Sequence, residues 1–351
     1  MSDPLLIYGA TGYTGKLITA AAVKLGLRPV LCGRNQAKLE ASAAPLGLDY
    51  RVAALTEPDR LAAALCGIDV VLHAAGPFSV TSWPMIDACL RSGAHYLDIT
   101  GEVPVLEAAV RRDAEARARR IMIMPAAGFD VVPSDCLAAH VARRLPSASR
   151  LAIGLSGLRF ATRGSAKTLA EHAGQGVLVR RDGVITPVPP GALSRAFDYG
   201  AGPRPSLNIS WGDVSTAYYT TGIPNIEVYF EATPLLQVML LASRYLGGML
   251  STGLWQTWLK TWADILPEGH SEEERAASAM VIVAEADDGA GRRVCARLRT
   301  PEAYTFTAIT AAAIARRVLR GDLEVGFQTP ARLYGPDFIL AFAGVDREDL
   351  G

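Results

Sequence analysis

Three glycines spaced three apart, in Gly9-Ala10-Thr11-Gly12-Tyr13-Thr14-Gly15, directly follow the apolar run Leu5-Leu6-Ile7-Tyr8. Glycine permits a tight turn and lets a diphosphate come up against backbone amides. The helical pattern that follows (Leu17, Ile18, Ala21, Ala22, Leu25) adds the partial positive charge of a helix N-terminus. The next apolar run, Pro29-Val30-Leu31-Cys32, ends at Gly33-Arg34. A chain that binds NAD usually carries an acidic residue there, about twenty residues past the last glycine, for the ribose hydroxyl. A guanidinium suits a 2′-phosphate instead, so the pattern predicts NADP. Asn35 reads as the N-cap of the following helix, and Lys38, one turn along, is placed either to reach the same phosphate or simply to be solvated.

Ligands of open α/β sheets lie beyond the carboxyl ends of the strands. Three more segments are expected to end there. The small residues of Ala75-Gly76-Pro77-Phe78 would admit a ribose and a nicotinamide. Tyr96-Leu97-Asp98-Ile99-Thr100-Gly101-Glu102 follows the fifth strand, and Gly128-Phe129-Asp130 the sixth. Asp130 is a candidate to hold a substrate amine or relay a proton, and fits equally well as a cap for a helix starting near Ser134. Asp98 and Glu102 fit better as anchors for loop amides. Tyr218 and Tyr219, read as strand residues facing opposite ways, offer one phenol as a proton donor. No Y-x-x-x-K couple and no G-x-S-x-G elbow occurs. The five histidines are scattered, which points away from a metal site.

The elements that must position these residues follow from periodicity. Tyr50–Leu55, the apolar run Asp69–Ala75, Tyr96–Ile99 and Ile121–Met124 read as further strands. Helices are expected between them, at Thr56 to Cys66, Pro84 to Ser92, and about Val103 to Arg119. Strands alternating with helices argue for a doubly wound parallel sheet of Rossmann type. Near Pro146 the pattern changes to strands separated by Gly- and Pro-rich turns, with a hairpin over Ala279 to Leu298. Helices are expected from about Thr307 to Arg320 and from Thr329-Pro330, an N-cap followed by proline. The expected division is a dinucleotide domain at 1–146, a mixed α/β substrate and oligomerisation domain at 147–321, and a C-terminal return to the first domain at 322–351.

With 351 residues, half of them hydrophobic, the chain can bury a large core. Thirty-five basic and 35 acidic residues balance to zero, which leaves no electrostatic footprint for nucleic acid. The five cysteines form no C-x-x-C pair and read as core thiols of a reducing, cytoplasmic compartment. The chain enters a strand at once, so no signal peptide is expected. Residues 235–259 are apolar and aromatic, but Gln237 and Arg244 interrupt them. A core or homodimer-contact helix pair is the favoured reading, and a peripheral membrane or lipid contact the alternative.

Taken in order, Gly9–Gly15, Ala75–Phe78, His95–Glu102 and Gly128–Asp135 resemble the saccharopine dehydrogenase-like oxidoreductases, in the bacterial branch related to trans-acting enoyl reductases. The resemblance continues in Thr162–Thr168, Thr221–Ile226 and Gly326–Pro330, and so covers most of the chain. It implies an NADP-binding domain with a second α/β domain inserted before a C-terminal return. It also implies that the helical stretch ending at His172 lines the substrate cleft. Saccharopine as substrate is not implied.

The resulting expectation is an NADPH-dependent oxidoreductase that passes a hydride to a C=C, C=N or C=O bond of a small molecule. If that molecule is apolar, Phe129, Phe160 and residues 235–259 would form its pocket. Two other readings stay open: a non-catalytic NADP-binding regulator, and an enoyl reductase acting in trans on carrier-bound chains.

Overall fold

The computed structural model describes residues 4–157, 176–250, 252, 261 and 269–350. In chain order, the first part alternates strands with helices, the last crossover holding two: β1 (Leu5–Tyr8), α1 (Tyr13–Lys24), β2 (Val30–Gly33), α2 (Gln36–Ala43), β3 (Tyr50–Val52), α3 (Pro58–Ala64), β4 (Val70–His73), α4 (Phe78–Ser92), β5 (His95–Asp98), α5 (Val103–Val110), α6 (Asp113–Ala118) and β6 (Met122–Met124). α7 (Val132–Arg144) leads into β7 (Arg150–Ser156), β8 (Val177–Arg181), β9 (Val184–Val188), β10 (Ser194–Asp198) and β11 (Pro203–Asn208). Then come α8 (Asp213–Thr221), β12 (Asn225–Glu231), α9 (Pro234–Leu250), α10 (Glu272–Ala276), β13 (Ala279–Asp287) and β14 (Arg293–Pro301). α11 (Ala303–Leu319), β15 (Gly326–Phe327), α12 (Pro330–Tyr334) and β16 (Asp346–Asp349) close the chain.

Two compact units result. The first comprises Met1–Val132 and Tyr304–Leu333, the second Pro133–Ala303 and Tyr334–Gly351. The first holds a seven-stranded sheet in the order β15-β6-β5-β4-β1-β2-β3, in which every pairing is parallel. β1, β2 and β4 are buried along their whole length, as strands covered on both faces must be. The order reverses between β1 and β4, and this is where such sheets open a crevice. The second unit holds a mixed sheet in the order β10-β11-β12-β7-β13-β14-β16, with β8 and β9 off that path. Only β12 and β7 pair in parallel on that path.

The doubly wound sheet and the mixed second domain are therefore as expected, but several boundaries are not. The return to the first unit begins at Tyr304 rather than 322, because α11 bonds to the loop after β6 and β15 extends the parallel sheet beside β6. The last segment instead joins the second unit, because β16 pairs antiparallel with β14. α4 starts at Phe78, six residues before the expected Pro84, because Glu102 caps its first amides. The expected long helix from Val103 breaks at Arg111-Arg112 into α5 and α6. Tyr218 and Tyr219 lie on α8, not on a strand.

α9 brings Val238, Leu241, Tyr245 and Leu246 to the surface; most of the expected segment beyond it, like Phe160 and His172, lies outside the described residues. No described helix is long and apolar enough to cross a membrane. All five cysteines are free, and Cys66 is exposed rather than in the core.

Candidate active site

The glycine turn is built so that side chains would spoil it. Gly9 has a φ of 82°, and a Cβ placed there would lie 2.8 Å from Ala75 Cβ and 2.9 Å from Ala75 N. The turn thus abuts the loop after β4. A Cβ on Gly15 would fall 2.2 Å from Gly9 O, so that glycine serves the turn itself. Gly12 is different: it is exposed, and its missing side chain leaves open space apart from Gly9 O at 3.4 Å. Gly12 also caps α1 without a side-chain bond, and the first turn of that helix holds no acidic residue. No acidic side chain of that first turn competes for its positive end, which suits a diphosphate.

Arg34 follows β2 and is exposed, with no ion pair to a described residue. Asn35 caps α2 as expected, its Oδ1 accepting from Lys38 N at 3.0 Å. Its carbonyl is therefore engaged, and Lys38 stands exposed beside it. These features fit an adenosine phosphate ester: a cradle without Cβ atoms, an uncapped helix and an unneutralised cation lie at one edge of one sheet.

The loops after β5 and β6 carry three carboxyls in different states. Asp98 is wholly buried, and its Oδ1 accepts from Thr100 N (3.0 Å) and Ala126 N (2.8 Å). Its Oδ2 accepts from Tyr96 OH at 2.7 Å. Those bonds hold Ala126 at a φ of 60°, a left-handed conformation that costs roughly 1–2 kcal/mol for a residue with a Cβ. Burial pushes the Asp98 pKa up to about 6 despite the bonds. Glu102 accepts from Phe78 N and Ser79 N at 2.8 and 2.9 Å. Its charge thereby sits at the positive end of α4. Both acids anchor loops, as the sequence suggested.

Asp130 does neither. It rests against Gly101, where a Cβ would come within 2.7 Å of its Oδ2, and it accepts no hydrogen bond from a described residue. Its capping role is excluded, because α7 starts at Val132 without it. Burial, and then the charge of Glu102, push it up to about 7. It keeps part of its surface open. Phe129, expected against substrate, is fully enclosed; its ring packs in the core while its N–H donates to Thr307 Oγ1 at 3.0 Å. Gly128 is buried too, because Thr307 and Ile99 occupy the space a Cβ would need.

α11 was expected as a helix from about Thr307, but its place at this site was not. Tyr304 meets Tyr13 of the glycine turn edge-on, with ring centroids 5.3 Å apart. Thr310 Oγ1 donates to Ala127 O at 3.0 Å. One helix thus touches both the cradle and the loop after β6. The only available signal was its threonine spacing, which reads as an ordinary helix start. Tyr218 belongs to the second unit, where its ring lies 4.3 Å from the guanidinium of the buried Arg180. The described residues contain no cluster that could hold a metal.

Residues 9–144 match a family model described as NAD(P)H-binding. A trans-acting enoyl reductase of Mycobacterium leprae is 35% identical over 152 residues, 40% of this chain and 36% of that protein. A probable mitochondrial saccharopine dehydrogenase-like oxidoreductase of Arabidopsis thaliana is 33% identical over 151 residues, 37% of this chain and 33% of that one. The chain thus spans about a third of the length of these relatives. The apo saccharopine dehydrogenase (L-Glu forming) of Saccharomyces cerevisiae matches in fold, with a TM-score of 0.69 at 12% identity over 99% of both chains. A homospermidine synthase of Legionella pneumophila, solved with NAD, gives 0.65 at 9% identity over 99% of this chain and 91% of its own. The relatives bear the names that the motifs resemble, over about two fifths of this chain, and the solved structures share its fold.

Proposed function

Starting from an NAD(P)-binding oxidoreductase fold, we propose that this chain is an NADP-dependent enzyme reducing a C=C, C=N or C=O bond of a small molecule. Arg34, with Lys38 beside it, would neutralise the 2′-phosphate. The amides of Gly9–Gly15 would take the diphosphate, and Ala75–Phe78 would flank the nicotinamide. Bound reduced nicotinamide supplies a hydride, so the chain must supply a proton and a dry, fixed place for the acceptor.

The observation that carries this reading is the Asp130 carboxyl, which has no hydrogen-bond partner among the described residues and is set to about 7. Near neutrality it is partly protonated, so it can give a proton and be refilled. Asp98 and Glu102 are committed to backbone amides. Tyr218 is committed to Arg180 in the second unit. Asp130 is therefore the proton donor in this reading.

NADPH oxidation is to be followed with a panel of carbonyl, imine and enoyl acceptors, including thioester-linked enoyl chains. The relatives named trans-acting enoyl reductase favour that last class. Turnover of any class supports the enzyme; tight binding without turnover of any supports a non-catalytic NADP-binding protein. Arg34→Asp should weaken NADPH roughly a hundredfold and NADH little, as expected for losing a charge-assisted phosphate contact. Unchanged preference by calorimetry would remove the NADP assignment.

A further inference from the structure

The central strand β4 ends in a histidine that none of this chemistry uses. His73 is fully enclosed. Its ring centroid lies 5.4 Å from that of Tyr8 and 5.4 Å, edge-on, from that of Phe78. Tyr8 is the last residue before the glycine turn, and Phe78 closes the wall begun by Ala75. The imidazole therefore lies between the two backbone segments that meet where Gly9 touches Ala75.

Counting protons fixes its chemistry. His73 Nε2 is 3.0 Å from Thr81 Oγ1. The Thr81 hydroxyl owns one proton and faces two carbonyls, Ala75 O at 2.7 Å and Pro77 O at 2.9 Å. If the hydroxyl gave that proton to Nε2, both carbonyls would lose it. Nδ1 would then carry a hydrogen with no acceptor, because Nδ1 has no partner among the described residues. If Nε2 carries the hydrogen, it donates to the hydroxyl oxygen and leaves the hydroxyl proton for the carbonyls. Burial keeps the ring neutral, pulling its pKa down to about 3.

We infer that His73, as the neutral Nε2–H tautomer, is a positioning residue that turns the Thr81 hydroxyl onto the Ala75 and Pro77 carbonyls. It thereby holds the Ala75–Phe78 wall in the shape that receives the nicotinamide half of the coenzyme. The inference rests on the cofactor reading above. It adds a residue whose effect passes through another side chain and two carbonyls.

The test pairs a spectrum with a titration. Long-range proton–nitrogen NMR of the whole chain should show one histidine as a neutral Nε2–H ring unchanged down to pH 5, and that signal should vanish in His73→Gln. NADPH titrated into Thr81→Val should bind about tenfold more weakly than to wild type, the cost of orphaning the His73 donor and the Ala75 carbonyl, while Pro77 O keeps its bonds from Val80 N and Thr81 N. Thr81→Ser, which keeps the hydroxyl, should restore wild-type affinity. His73→Gln, whose amide can donate from near the Nε2 position, should bind more tightly than His73→Phe. A merely structural contact would lower the melting temperature and leave the dissociation constant where it was. An Nδ1–H spectrum, or equal affinity in Thr81→Val and wild type, overturns the inference alone. A wild-type chain that binds no NADPH overturns the cofactor reading and this inference together.

Discussion

The carboxyl Asp98 at the carboxyl edge of the parallel sheet and the carboxyls Asp337 and Asp349 of the second unit are held by opposite means. Asp98 is bonded by two amides and a phenol and pairs with no cation among the described residues. In the second unit, Asp337 pairs with Arg143 and Arg347, and Asp349 with His140 and Arg144. The consequences differ in sign. Burial raises Asp98 to about 6 and Asp130 to about 7. The bonds from Arg347 and Arg143 hold Asp337 below the usual range. Burial alone would raise Asp349, but His140 and Arg144 bring it down. Amides satisfy the geometry of a carboxylate without cancelling its charge, so the group stays able to exchange a proton. Cations cancel the charge and make the acid a strut. The acid read as the proton carrier, Asp130, has neither kind of partner among the described residues.

The largest expected effect follows from removing the amide-held acid. Asp98→Ala leaves Thr100 N, Ala126 N and Tyr96 OH without their acceptor and frees Ala126 from its left-handed backbone. Roughly 3–5 kcal/mol of stability should be lost, read from denaturant midpoints at constant slope. Asp98→Asn keeps one acceptor oxygen and should cost clearly less. A loss under about 1 kcal/mol for the alanine variant would mean that the amides are not what holds these loops.

Asp130 offers a sharper contrast, because here function and stability pull apart. Asp130→Asn should lower kcat roughly a hundredfold while NADPH affinity stays within a factor of about two. A folded-state pKa near 7, above the ordinary 3.8, means that folding prefers the protonated form. That contribution is fully present below pH 4 and is lost as pH rises through 7. The asparagine variant should therefore melt about 2 °C higher than wild type at pH 8, and the gap should close towards pH 4. The open side of the carboxyl keeps the figure small. A variant that melts lower at pH 8 would show that Asp130 is a strut like Asp337.

Much of the first unit could be read from the chain because its signals are local. Strand, glycine turn and helix follow one another within Leu5–Lys24, and the Asn35 cap and Thr329-Pro330 start lie beside the helices they begin. What could not be read depends on distant partners. α4 begins at Phe78 because of Glu102, twenty-four residues away. The return at Tyr304 depends on Thr307 meeting Phe129 across 178 residues. Phe129 looked like a cleft residue from its neighbours Gly128 and Asp130, yet its ring faces the core. Of the three carboxyls after β5 and β6, sequence could list the candidates. Only hydrogen-bond partners could sort anchor from spare acid. His73 was visible as a polar residue inside an apolar strand, but its role depends on where one threonine proton goes.

The smallest effect belongs to the cation-held acid. Asp349 pairs with Ala296 across β14 and β16, and the next residue, Leu350, donates its N–H to Cys295 O at 2.9 Å. Asp349→Asn removes the charge that meets His140 and Arg144 but leaves the strand ladder, so the cost should stay below about 1 kcal/mol. An acid held below its ordinary pKa contributes above about pH 4, and the contribution fades as pH falls through the lowered value. The difference between variant and wild type should therefore shrink on acidification and in molar salt, the reverse of the Asp130 pattern. Hydrogen exchange should quicken at 346–350 and stay unchanged at 98–102. If Asp349→Asn proved as costly as Asp98→Ala, the kind of partner would not be what sets the cost of losing a bonded acid, and burial alone would have to explain both.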